Sequence, residues 1–181
     1  MVDQTMLEYC REKGYHNQTL DRWLSLVEDD REALLDLALG LKLGENHLRD
    51  FLDWLEEVAL RDGTSLGKIL RGERVSSLLS DPRLTRSDKL KRAKGEVRRL
   101  RFPRLAHIEG EIQRRLQELK LKPQLRISVP PALEGEGLTV EVKAASYEEL
   151  KQLVEELRET LERASLKEIF ALLRGEGDVG V

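Results

Sequence analysis

Up to Leu119 the apolar residues of this chain recur at spacings of three and four. Between Leu125 and Val142 they alternate instead. No other feature constrains the fold as much. A 3.6-residue repeat lays one stripe of a helix on a core, and a two-residue repeat lays one face of a strand on it. Residues 3–13 and 17–28 read as helices, the second capped by Asn17 or Thr19, with Leu20, Trp23, Leu24 and Val27 on one side. Leu34 to Leu39 form a short apolar helix ending near Gly40. A turn containing Gly44 leads to a helix over 45–61, with Leu48, Phe51, Leu52, Leu55, Val58 and Ala59 on one stripe. Gly63 is placed to stop it. "TSLGKILRG" predicts a further short helix and "SSLLSDPRL" a loop around Pro82. A helix over 86–101 follows, with Ser87 as its cap, and Pro103 breaks it. Leu105, Ile108, Ile112, Leu116 and Leu119 then define a helix that ends before Pro123.

The period-two segments are "QLRISV" and "LTVEVK", joined by "PPALEGEG", so they predict a long-looped hairpin. Ser146 and Glu149 form a capping box opening a helix with Leu150, Leu153, Val154, Leu157 and Leu161 on its apolar side. A short helix, "SLKEIFALL", and a Gly-rich tail close the chain. The predicted fold is mainly α with a small α+β module. It comprises an acidic helical domain (1–85), a basic helical connector (86–104) and a C-terminal α-β-β-α module (105–181).

A two-stranded hairpin is marginal in water, and each strand leaves an open edge. Pairing with the hairpin of a second chain solves both problems. The expectation is therefore a homodimer through residues 105–163. Its interface would hold Leu125, Ile127, Val129, Leu138, Val140, Val142, Leu150, Leu153, Val154 and Leu157. The alternative is a monomer whose hairpin packs on its own helices.

Composition narrows the function more than it names it. Aromatics make up only 4% of residues, so the core must be built from Leu, Val, Ile and Ala. Cys10 is the single cysteine, which excludes an intrachain disulfide and fits a reducing cytosol. No stretch approaches the roughly 20 apolar residues that span a bilayer, and no signal-peptide run opens the chain. These features predict a cytoplasmic protein without a membrane partner. His16, His47 and His107 are scattered, and Cys10 with His16 supplies two metal ligands where zinc needs three or four. No phosphate-loop, dinucleotide-binding, zinc-protease or nucleophile-elbow motif occurs. The expectation is a non-enzymatic protein with no cofactor and no metal.

Charge is the sharper signal. Residues 1–85 carry 11 Lys and Arg against 17 Asp and Glu; residues 86–104 carry 9 against 2; residues 105–181 carry 11 against 15. An acidic chain thus holds one strongly basic segment, "KLKRAKGEVRRLRFPRL". Leu90, Ala93, Val97 and Leu100 give it an apolar side, leaving a broad cationic face. Lys89, Lys91, Arg92, Lys94, Arg98, Arg99 and Arg101 are the candidate nucleic-acid-binding residues. Such density suits phosphate contacts, which are salt-dependent and indifferent to sequence. Phe102 alone offers a stacking ring, too little for single strands. Pairing with the chain's own acidic helices or with a partner chain, or contact with an anionic membrane surface, would use the same charges. The pair of helices around "LGLKLGENHLRDFL" has helix-turn-helix spacing. Glu45, Asp50, Asp53, Glu56 and Glu57 on the second helix would repel DNA, so it reads as an αα-hairpin that packs internally or docks a protein.

Residues 105–157, "LAHIEGEIQRRLQELKLKPQLRISVPPALEGEGLTVEVKAASYEELKQLVEEL", resemble the C-terminal dimerisation module of ParB-type chromosome-partition proteins. Residues 39–52 resemble that family's helical region more loosely. The resemblance implies an intertwined dimer that touches DNA non-specifically through lysines, and a nucleoid-associated location. The family's nucleotide-binding domain is missing: "GERV" at Gly72–Val75 ends in valine where the family's box has arginine, so nucleotide binding is not implied. Together these readings predict a non-enzymatic dimeric DNA-associated protein of partition or nucleoid type. Residues 1–85 would be available to a protein partner. The alternative is a protein-interaction adaptor with no nucleic-acid role.

Overall fold

The computed structural model describes residues 2–130, 133–134 and 137–175. The chain forms two compact units, Met1–Phe102 and Pro103–Val181. It is mainly α with a small α+β module.

The first unit contains α1 (Val2–Lys13), α2 (Asn17–Leu24), α3 (Glu28–Leu41), α4 (Glu45–Asp62), α5 (Leu66–Arg71), α6 (Glu73–Ser80) and α7 (Arg86–Arg101). Leucine and a few large side chains fill its core. Met6, Trp23, Leu34, Leu48, Phe51, Leu52 and Leu55 are all fully buried. α4 buries the whole predicted stripe from Leu48 to Ala59. It stops at Gly63, whose φ of 61° is left-handed and costs glycine little.

Packing between α3 and α5 rests on a buried acid. Asp30 is 6% exposed and accepts a hydrogen bond from the Gly67 amide at 2.7 Å, in the first turn of α5. A larger residue would be crowded there. A Cβ on residue 67 would sit 2.6 Å from Asp29 Oδ2 and 3.2 Å from the Asp29 carbonyl. Residues 76–80, expected as loop, belong to a helix over Glu73–Ser80, because Val75 packs into the core and Leu78 and Leu79 lie against it.

The predicted boundary at residue 85 is corrected. The basic segment is not a connector; it is the last helix of the first unit. Ala93 and Val97 are fully buried in the common core, and Leu90 packs against it. The apolar side was legible in the sequence, but periodicity does not say which core it packs on. Its cap is Thr85 instead of Ser87: Thr85 Oγ1 accepts from the Asp88 amide, and the Asp88 carboxylate reaches back to the Thr85 amide. α2 likewise starts after His16, without a side-chain cap.

The second unit contains α8 (Pro103–Glu118), β1 (Leu125–Ser128), β2 (Thr139–Val142), α9 (Tyr147–Leu161) and α10 (Ala164–Leu173). The strands are antiparallel, pairing Leu125 with Val142 and Ile127 with Val140. Pro131, Ala132, Gly135 and Glu136 of the connector, and the tail 176–181, lie outside the described residues. Ile112 of α8, Leu119 just after it, Ile127 of β1, and Leu166 and Ile169 of α10 make the core. Ser146 caps α9 as expected, accepting from the Glu149 amide at 3.1 Å. Glu149 returns to the Ala145 amide, one residue earlier than the usual box.

Candidate phosphate-binding face

α7 presents three kinds of side chain. Ala93 and Val97 point into the core. One polar edge is spent on α4. Lys94 Nζ meets Asp50 Oδ2 at 2.5 Å and His47 Nδ1 at 3.0 Å, and lies 5.6 Å from the Trp54 ring centre. Arg101 clasps Glu57 with two bonds of 2.5 and 2.7 Å. The acids are seven residues apart and so are the bases, so the two helices run side by side in the same direction. Arg61 of α4 then donates to the Leu100 and Arg101 carbonyls at 2.8 and 2.9 Å, satisfying orphan acceptors at the end of α7. Lys89 is likewise used internally, donating to the Leu79 carbonyl at 2.6 Å. Arg98 is half-buried.

The remaining edge faces solvent. Lys91 and Arg92 are exposed, and the Arg99 side chain is 68% exposed. They border a groove of about 610 Å³ with Leu78, Gly95 and Glu96. A second depression of about 600 Å³, lined by Ser77, Asp81, Arg83 and Leu84 among others, shares Arg92 and Leu78 with the first. Gly95 has no atom within 4 Å of a built Cβ, so the groove floor there is bare backbone.

Two further cations join this face that the charge run did not mark. Arg74 and Arg83 are 78% and 86% exposed, paired at 3.5 Å with Glu96 and at 2.9 Å with Asp81. They come from α6 and the loop after it, where Glu73 and Asp81 mask them in a running charge count. Only the α6–α7 turn brings them beside Arg92 and Arg99. Arg74, Arg83, Lys91, Arg92 and Arg99 outnumber Asp81, Asp88 and Glu96. Two of those carboxyls are held ionised. Hydrogen bonds from Arg83 pull Asp81 down to about 2, and those from Thr85 pull Asp88 below its ordinary range. The rim is therefore a mixed-charge, net-positive surface at neutral pH.

α4 packs internally, chiefly on α7 and α5. Arg22 binds Asp53 at 2.6 Å and Glu56 at 2.7 Å, so the acidic ridge of α4 is occupied by Arg22, Lys94 and Arg101. The shallow pocket it borders with Trp54 and Leu60, about 380 Å³, is lined mainly by these paired charges.

The residues expected at a dimer interface divide in the same way. Leu125, Ile127 and Leu153 are buried within their own chain. Val129, Leu138 and Leu157 pack on the second unit's core, and Val142 is half-buried. Val140, Leu150 and Val154 are 43%, 42% and 52% exposed.

His16 pairs with Glu45, His47 lies beside Lys94 and His107 is exposed. Cys10 is buried, and burial pushes its thiol up to about 11, so it stays protonated. Among the described residues no three His, Cys, Asp or Glu converge as a metal site, and no helix is long and apolar enough to cross a membrane. No protein-family model matches this chain, and neither the curated proteins nor the solved structures provide a match.

Proposed function

We propose that the protein is a non-enzymatic, DNA-associated homodimer that holds the phosphate backbone without reading base sequence. The observation that carries this reading is the outer edge of α7. Lys91, Arg92 and Arg99 stay in solvent beside two adjoining grooves, with Arg74 and Arg83 on the same face. The contact set differs from the one the sequence implied: Lys89, Lys94 and Arg101 serve the fold. The long Arg74–Glu96 and Arg99–Glu96 contacts, at 3.5 and 3.4 Å, are individually weak in water, so a phosphate oxygen can draw these guanidinium groups at little cost. The resemblance of residues 105–157 to a partition-protein dimerisation module supports the same reading and, with it, a nucleoid-associated location.

Titration of a generic duplex at several salt concentrations tests it. Each neutralised phosphate contributes a slope of about −0.9 in log K against log salt. Changing Lys91, Arg92 and Arg99 to Gln should weaken binding to all sequences alike and flatten the slope by roughly 2.7. An unchanged slope refutes the assignment.

One observation favours a second reading, a protein-interaction adaptor. Two cations of the basic helix, Lys94 and Arg101, are already neutralised by α4. No binding to duplex at about 50 mM salt would select that reading.

A further inference from the structure

α9 has one apolar face more than its own unit uses. Leu153 and Thr160 are 2% and 0% exposed, so that side lies on the unit. Next to it run Tyr147, Leu150, Val154, Leu157 and Leu161, at alternating spacings of three and four, the register of a coiled-coil seam. Leu157 is half-buried against the core, but Tyr147 is 72% exposed, Leu150 42%, and Val154 and Leu161 both 52%. These four side chains expose on the order of 500 Å² of mostly apolar surface. A stable interface needs about 800 Å² per partner, some 60% of it apolar, so the stripe supplies what one side requires.

We propose that a second copy of α9 covers this stripe, packed antiparallel about a two-fold axis near Leu153. The inference rests on the homodimeric part of the function proposed above and names the surface responsible. Helix geometry decides the orientation. At 100° per residue, Lys151 and Arg158 flank the stripe on its open side, while Leu153 and Thr160 flank it on the other. A parallel pair sets the open flank of one helix against the opposite flank of its partner. That flank is already buried, so a parallel pair has no room to form. An antiparallel pair sets open flank against open flank.

Charge then fixes the register. One column beyond Lys151 and Arg158 lie Glu148 and Glu155. With the axis near residue 153, Lys151 faces the partner's Glu155 and Arg158 faces the partner's Glu148. The same register seats Tyr147 between the partner's Leu157 and Leu161, and Val154 between the partner's Leu150 and Val154. One axis satisfies the apolar seam and both ion pairs, which is what self-recognition demands and an unrelated partner would not produce. Arg158 now binds Glu155 of its own helix at 2.6 Å, an exposed pair that exchanges at little cost.

The surface shares Leu150, Val154 and Leu157 with the interface expected from sequence but leaves out its strand edge, and the helix and strand contributions are separable. Sedimentation equilibrium of the full chain should show a dimer. Val154→Glu should raise its dissociation constant about 100-fold or more, by burying charge at the seam's centre. Val140→Glu, on β2, should leave it unchanged. Lys151→Glu should weaken the dimer, and adding Glu155→Lys should restore it. In a Cys10→Ser background, mixed Lys151→Cys and Glu155→Cys chains should form the mixed disulfide ahead of either symmetric one. Circular dichroism of Val154→Glu checks that the fold survives, as it should for a residue half in solvent. A monomer at about 100 μM overturns the proposal. So does a dimer that tolerates Val154→Glu but dissociates with Val140→Glu, or one that tolerates both. A dimer that fails to bind duplex sinks the phosphate reading and leaves this one standing; a monomer that binds duplex does the reverse.

Discussion

Val97→Ala tests whether α7 belongs to the first unit's core or merely links two domains. Val97 is fully buried among the residues of that core. The substitution removes two methyl groups, worth about 1.6 kcal/mol in transfer free energy. It leaves room on the order of 40 Å³, which adds about 1 kcal/mol if the neighbours do not relax. The expected loss is about 2.5 kcal/mol. For a unit of this size that is a fall of roughly 10–15 °C in melting temperature. Differential scanning calorimetry of the full chain is the assay, because each unit can melt separately. Arg92→Ala on the solvent edge of the same helix is the control, with an expected change under about 0.5 kcal/mol. A Val97→Ala loss no larger than the control's would mean that α7 is only loosely attached, and the corrected boundary at Phe102 would fall with it.

Asp30→Ala should cost about 1–3 kcal/mol, because it strands the buried Gly67 amide; urea unfolding with an unchanged m-value would show it. Glu45 accepts from Thr19 Oγ1 at 2.5 Å and from His16, which holds its carboxyl down at about 2. Its folded value lies below its unfolded one. Its contribution is therefore complete above the ordinary glutamate range and is lost as pH falls from there to about 2. Melting temperatures at pH 7 and pH 3 should differ less in Glu45→Gln than in the parent chain. Cys10, buried and protonated at neutral pH, should react with a thiol reagent at least about 100-fold more slowly in the native chain than in urea.

The sequence alone specified the elements whose signal is local. The Leu48–Ala59 stripe with Gly63 behind it, the Ser146 cap of α9 and the alternation at Leu125–Val142 follow from backbone geometry within a few residues. They appear where expected. Even one long-range pairing left a trace: Asp50 and Glu57 repeat at the same seven-residue interval as Lys94 and Arg101. Tertiary structure decided which cations face solvent. That depends on what each helix edge packs against, and a charge count along the chain has no access to it. Lys94 and Arg101 look like Lys91 and Arg92 in sequence, yet α4 takes the first pair and leaves the second exposed. Arg74 and Arg83 join them only because α6 folds back on α7. The same holds for α9, whose seven-residue repeat is plain in the sequence. Which of its two apolar sides the unit would bury for itself was settled only when α8, the hairpin and α10 formed a single core.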